Sequence, residues 1–156
     1  MKRIILTFVA VLAGTYLFAQ NTSYIQQYND NSHADVTQAG YANFSNVEQH
    51  GYHWSEPRND AYVKQIGKWN SSYVTQWGEG NKYETTQMGK NNSAQGTQSG
   101  DLNSAKVSQD GEILQSYTHQ YGYKNWIEVY QSGNWGQYSY IFQDGSRNGA
   151  VVRQTN

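Results

Sequence analysis

A glutamine recurs along almost the whole chain at a fixed step: Gln27, Gln38, Gln49, Gln65, Gln76, Gln87, Gln98, Gln109, Gln120, Gln131, Gln143 and Gln154. Nine of the eleven steps are 11 residues; the others are 16 (Gln49 to Gln65) and 12 (Gln131 to Gln143). Two places after the glutamine stands glycine in ten units: Gly40, Gly51, Gly67, Gly78, Gly89, Gly100, Gly111, Gly122, Gly133 and Gly145. Six places before it stands asparagine in nine: Asn21, Asn43, Asn59, Asn70, Asn81, Asn92, Asn103, Asn125 and Asn148. Ser32, Leu114 and Gln137 fill the other three slots. A phase held this long is a structural repeat, and units this short bury a core only by stacking on one another.

Within each unit the pattern Asn-x-small-x-β-branched-x-Gln-x-Gly alternates with period two, which reads as a strand with one face inward. The β-branched slot holds Ile25, Val36, Val47, Val63, Val74, Thr85, Val107, Thr118, Val129, Ile141 and Val152, with Gly96 as its exception. The small slot separates two kinds of unit. Odd-numbered units carry Ser23, Ser45, Ser72, Ala94, Ser116 and Ser139; even-numbered ones carry Ala34, Ala61, Tyr83, Ala105, Ile127 and Ala150. The true repeat is therefore about 22 residues, a pair of facing strands, and there are six pairs. The glycine and the residues after it supply the tight turn between strands. The predicted fold is all-β: a β-solenoid of about six two-stranded coils stacked about 4.8 Å apart.

Composition decides what fills such a body. The chain of 156 residues has 17 Gln, 15 Asn, 15 Gly and 14 Ser, and too few large aliphatics for a conventional core. A lone buried amide with unmet partners costs about 1–3 kcal/mol. Stacked copies can instead bond one another, as Asn/Gln ladders do in cross-β structures. The inward ladder is thus expected to comprise the nine asparagines and twelve glutamines named above, with register fixed because a one-residue slip would turn them all outward. Gly96 and Leu114 interrupt the pattern and are its expected weak points. Outward, tyrosines stand three before the glutamine in odd units (Tyr24, Tyr73, Tyr117, Tyr140), and Glu84, Lys106 and Glu128 form an alternating charge column in even ones. Cross-strand pairing accounts for both, and exposed rings also permit adhesion.

At the N-terminus Lys2 and Arg3 precede the apolar run Ile4 to Phe18, and Ala19 gives way to Gln20. Residues 1–19 therefore read as a secretory signal peptide, too short for a membrane span, and 20–156 as the repeat domain of twelve half-repeats. No integral membrane segment is expected after it. The net charge is −1, or −3 without residues 1–19, so nucleic acid is not an expected partner. With 0 cysteines, disulfides and thiolate metal sites are excluded. His50 and His53 are a weak metal pair with no marked third ligand, and no singular polar constellation suggests catalysis. No enzyme activity and no cofactor are expected.

The repeat resembles the curlin repeat of curli amyloid subunits, Asn/Ser-x5-Gln-x-Gly-x2-Asn-x5-Gln, as Asn70, Gln76, Gly78, Asn81 and Gln87 show. The likeness runs from Asn21 to Asn156. It implies a chain secreted through an outer-membrane curli apparatus that polymerises into cell-surface fibres for adhesion and biofilm matrix. It also implies a second curlin-type subunit, nucleator or fibre body, as partner. Three features depart from the family's pattern. Gln20 leads almost directly into the first unit, leaving no room between them for a glycine-rich targeting segment. Residues 52–58 widen one turn, and one unit is a residue longer around Asn134, Trp135 and Gly136. Neither terminal unit carries a capping helix, loop or proline, which favours a homopolymer by end-to-end addition. The rival reading is a monomeric secreted solenoid, an ice- or surface-binding module.

Overall fold

The computed structural model describes residues 20–28, 32–51 and 57–156. They form twelve strands: β1 (Thr22–Gln27), β2 (His33–Tyr41), β3 (Phe44–His50), β4 (Asp60–Lys68), β5 (Ser71–Trp77), β6 (Lys82–Lys90), β7 (Ser93–Asp101), β8 (Ser104–Glu112), β9 (Gln115–Tyr123), β10 (Trp126–Asn134), β11 (Tyr138–Ser146) and β12 (Gly149–Thr155). The odd strands make one six-stranded sheet, β1-β3-β5-β7-β9-β11, and the even strands the other, β12-β10-β8-β6-β4-β2. All pairing is parallel, and each glutamine sits opposite the next one in its sheet, as Gln65 opposite Gln87 and Gln76 opposite Gln98. This is the predicted solenoid of six two-stranded coils. Parallel pairing follows from the 22-residue period, because each strand returns to its sheet one coil further on and running the same way. The signal segment 1–19, His53 and most of the insertion (52–56) lie outside the described residues.

The interior is thin. Val47, Val63, Val74, Val107, Val129, Ile127 and Ile141 pack with Ala61, Ala94 and Ala105 between the two sheets. Amides line its flanks: the repeat glutamines Gln49, Gln65, Gln76, Gln87, Gln98, Gln109, Gln120 and Gln131 are all buried. The two positions that interrupt the pattern turn out differently. Gly96 is not a gap, because the ring of Tyr83 from the facing sheet fills the space beside it; a Cβ on Gly96 would lie 1.9 Å from Tyr83 Cε2. Leu114 interrupts the asparagine column on one side only. Its backbone N–H still donates to Asn92 Oδ1 at 3.0 Å, but its side chain offers no acceptor to Gln137 in the next coil.

The turn divides its work between the glycine and the residues after it. The repeat glycines lie near the ends of the strands, and the corner falls two residues later on residues that are mostly not glycine. Ala42, Trp69, Asn91, Leu102, Ile113, Lys124 and Arg147 all take left-handed φ between 53° and 61° there. What demands glycine at the strand end is both conformation and proximity. Gly89 has φ 109°, and a Cβ on it would lie 2.0 Å from the carbonyl oxygen of Gly111 in the next coil. The coils approach too closely at this column for any side chain.

Candidate functional site: amide columns, two open ends and two unlike faces

Each glutamine side chain works in two directions. Its Nε2 donates to the Oε1 of the glutamine one coil further on. In the odd sheet the series is Gln27 to Gln49 (2.8 Å), Gln49 to Gln76 (2.7 Å), Gln76 to Gln98 (2.9 Å), Gln98 to Gln120 (2.9 Å) and Gln120 to Gln143 (3.1 Å). In the even sheet it runs Gln38, Gln65, Gln87, Gln109, Gln131 and Gln154, with steps of 2.7–2.9 Å. The second N–H crosses to the facing sheet: Gln98 Nε2 donates to the Lys82 carbonyl at 3.0 Å and Gln109 Nε2 to that of Ser93 at 3.0 Å. The column and the cross-sheet tie together satisfy both donors of each repeat glutamine from Gln49 to Gln131. Sequence reasoning missed the tie, which carries no residue-type signal because its acceptors are backbone carbonyls.

The asparagines do something different from a simple side-chain ladder. Asn92 Oδ1 accepts from the backbone N–H of Leu114, and Asn70 Oδ1 from that of Asn92 (3.1 Å), so the column passes through the main chain. Asn92 Nδ2 donates to the carbonyls of Met88 (2.9 Å) and of Gly111 (3.0 Å), clamping its own turn and the neighbouring glycine. Asn81 and Asn125 repeat the clamp, on Trp77 and Gly100 and on Tyr121 and Gly145. Direct amide-to-amide bonds join only some pairs, Asn43 to Asn21, Asn70 to Asn43 and Asn103 to Asn81.

At the ends the columns stop in the open. All six residues of β1 are exposed, including Ile25 at 46% although it occupies an inward slot, and every second residue of β12 is exposed. The polarity of the glutamine columns makes the ends unlike. Gln27 and Gln38 receive no amide from a preceding coil among the described residues, so their Oε1 atoms face out as acceptors. Gln143 and Gln154 use one N–H on the carbonyls of Trp126 (3.3 Å) and Tyr138 (2.9 Å), and among the described residues no further coil receives the other. Asn148 likewise spends its Nδ2 on Asp144.

The two faces differ as sharply. The strands of the odd sheet contain no Lys or Arg, and their outward residues include Tyr24, Phe44, Tyr73, Trp77, Tyr117, Tyr121, Tyr138, Tyr140 and Phe142. The strands of the even sheet carry Lys64, Lys82, Lys106 and Arg153 among Asp60, Glu84, Asp110 and Glu128. Glu84, Lys106 and Glu128 are in register as a column, but the close pair is Lys82 with Glu84 at 2.7 Å, and this bond raises the pKa of Lys82 above its ordinary value. His50 stacks between Tyr28 (4.4 Å) and Trp77 (3.7 Å), with Nε2 2.7 Å from Glu48 Oε1. Among the described residues no group of three or more His, Cys, Asp or Glu could hold a metal ion, and no helix is long and apolar enough to cross a membrane.

Columns of identical amides, unpaired coil ends and a backbone repeat of two strands define a cross-β solenoid whose parts are structural. Residues 78–111, which contain β6, β7 and nearly all of β8, match the family model of the curlin associated repeat. The resemblance to the curlin repeat is thereby shown for this stretch, and in-register pairing continues the same residue columns through the coils on either side. No curated protein and no solved structure matches the chain.

Proposed function

We propose that this chain is a structural subunit of an extracellular, curli-like amyloid fibre that serves cell-surface adhesion and the biofilm matrix. Residues 1–19 would direct export and be removed. Copies of residues 20–156 would then add end to end, with an outer-membrane secretion apparatus and a second curlin-type subunit as partners. The single observation that carries this reading is the complementarity of the two ends. The first coil offers the oxygens of Gln27 and Gln38, and the last offers amide N–H groups of Gln143 and Gln154. Head-to-tail contact would continue both columns without a break. A heterologous contact of this kind that does not close makes a filament rather than a ring.

The test is fibre formation by the purified chain 20–156, followed by thioflavin fluorescence and fibre diffraction. A meridional reflection at about 4.8 Å is expected. Protein that stays monomeric for days at high concentration, seeded or not, would instead mark a monomeric binding module. The ice-binding form of that rival has little support, since the outward column before the odd glutamines reads Gln26, Glu48, Thr75, Thr97, His119, Phe142 rather than continuous threonine.

A further inference from the structure

The aromatic face of the odd sheet is interrupted once. Strand β7 presents Ser93, Gln95, Thr97 and Ser99 outward, with no ring among them, while β5 and β9 on either side carry Tyr73 and Trp77, and Tyr117, His119 and Tyr121. The result is a furrow across the sheet, floored by small polar side chains and walled by rings. Trp77 has one ring face covered by His50, at 3.7 Å and 5° between planes, so its other face looks across the furrow. It is 48% exposed. At the Ser99 end the furrow meets a cavity of about 550 Å³ that runs back past Trp77 and His50 to Tyr28 and is also lined by Gly100 and Asp101.

We infer that this furrow is a binding site for a neutral glycan chain. Three features select that ligand. The first is width: β5 and β9 are two strand spacings apart, about 9.6 Å. A flat aromatic ring held between two others needs only about 7 Å at carbon contact distances. The surplus of about 2–3 Å suits a puckered pyranose, whose axial C–H groups thicken it. The second is the floor. The hydroxyls of Ser93, Thr97 and Ser99 and the amide of Gln95 have no protein partner among the described residues. Each of these groups both donates and accepts, as a sugar hydroxyl does.

The third feature is charge. This sheet's strands have no Lys or Arg to meet an anionic polymer. His119 does not supply a cation near neutral pH, because burial lowers its pKa. A peptide strand cannot add to β7, whose backbone is paired on both sides by β5 and β9. The floor from Ser93 to Ser99 runs about 20 Å, the length of an oligosaccharide rather than of one sugar. The furrow lies on the flank of the solenoid, so it is open whether the chain is single or stacked.

Calorimetric titration of the chain 20–156, freshly prepared and again as sedimented fibre, would use cellohexaose and maltohexaose. Hexagalacturonate and decaproline serve as the anionic and peptide arms. At least one neutral hexamer should bind, with hexagalacturonate and decaproline at least tenfold weaker. Trp77→Ala should weaken binding at least tenfold. Ser99→Tyr and Thr97→Phe, which place in the furrow the rings found at the same positions in β9 and β11, should abolish it without threatening the fold. Glu84→Ala on the opposite sheet should change nothing. Failure of both neutral hexamers to bind, binding unaltered by the filling variants, or equal binding of decaproline would each overturn the assignment.

Discussion

The ring of Tyr83, reaching across from β6, occupies the space that the side chain of residue 96 takes in every other coil, and Gly96 is what makes room for it. Tyr83 is fully buried, and its hydroxyl bonds Thr118 Oγ1 at 3.0 Å, one strand beyond Gly96. Two departures from the repeat are thus one complementary feature. Restoring either residue alone to the consensus should therefore do harm. Gly96→Val should overpack the core and cost about 1–3 kcal/mol or more, and Tyr83→Ala should leave a cavity costing about 3–5 kcal/mol. The double variant, which recreates the ordinary Ala and Val pair, should recover most of the loss. Denaturant unfolding of all four proteins gives the coupling energy, and simple additivity would show that the two sites are independent.

Burial pushes the Tyr83 phenol up to about 12 from 10.0, with its bond to Thr118 opposing the shift in part. The folded state therefore keeps this proton while the unfolded chain releases it. Its contribution is intact below pH 10 and declines as pH climbs towards 12, by about 3 kcal/mol in all. Tyr83→Phe should flatten the stability profile between those two pH values. A profile identical to that of the parent would mean that the phenol does not titrate differently on folding.

Ser45 and Ser72 each bury a hydroxyl that has no hydrogen-bond partner, whereas the next residue in that column is Ala94. Removing an unsatisfied buried group relieves a penalty of about 1–3 kcal/mol. Ser72→Ala is expected to raise the unfolding midpoint, and a lowered midpoint would show that the hydroxyl has a partner in solution.

Ile113 holds a left-handed corner at φ 61°, which a β-branched side chain tolerates poorly. One coil earlier the same corner is held by Asn91 at φ 56°, and at the opposite corner, before β6, glycine itself takes this conformation, Gly80 at φ 65°. Ile113→Gly should stabilise the fold by about 1 kcal/mol, the cost of that conformation for a residue with a Cβ. Thermal unfolding reads the change directly.

The proposed docking surface separates from the interior by kinetics. Gln98→Ala and Gln109→Ala remove amides bonded above, below and across the body, so each should destabilise the single subunit by about 1–3 kcal/mol. Gln27→Ala and Gln154→Ala touch only the outermost coils and should slow fibre growth more than they lower subunit stability. Growth curves of the four variants at equal concentration, set beside their unfolding curves, check this. Equal slowing at all four would mean that the amides govern folding rather than docking.

Much of the fold was legible because the period and the type of residue agree at each slot. The glutamine step alone fixes twelve strands, and the odd–even split of the small slot assigns each to its sheet. The misreadings share one cause: they involve contacts between unlike positions. Gly96 looks like a flaw until Tyr83, on the other sheet, is placed against it. The clamp of Asn92 on Met88 and Gly111, and the tie from Gln98 to Lys82, end on carbonyl groups that every residue possesses. The close approach of Gly89 to Gly111 in the next coil, which demands a glycine there, is likewise a contact that a one-dimensional pattern does not display.

The alternation of the strands between two unlike sheets bears on how a gene for such a chain can grow. Duplicating a stretch that encodes 22 residues adds a coil and leaves every later strand on its own sheet. Duplicating one half-repeat of 11 would transfer all downstream strands to the opposite sheet. Rings would then continue the charged face and lysines the aromatic one, and Tyr83 could lose the glycine it needs. Length variants of this chain that keep both faces should accordingly differ by whole pairs of strands.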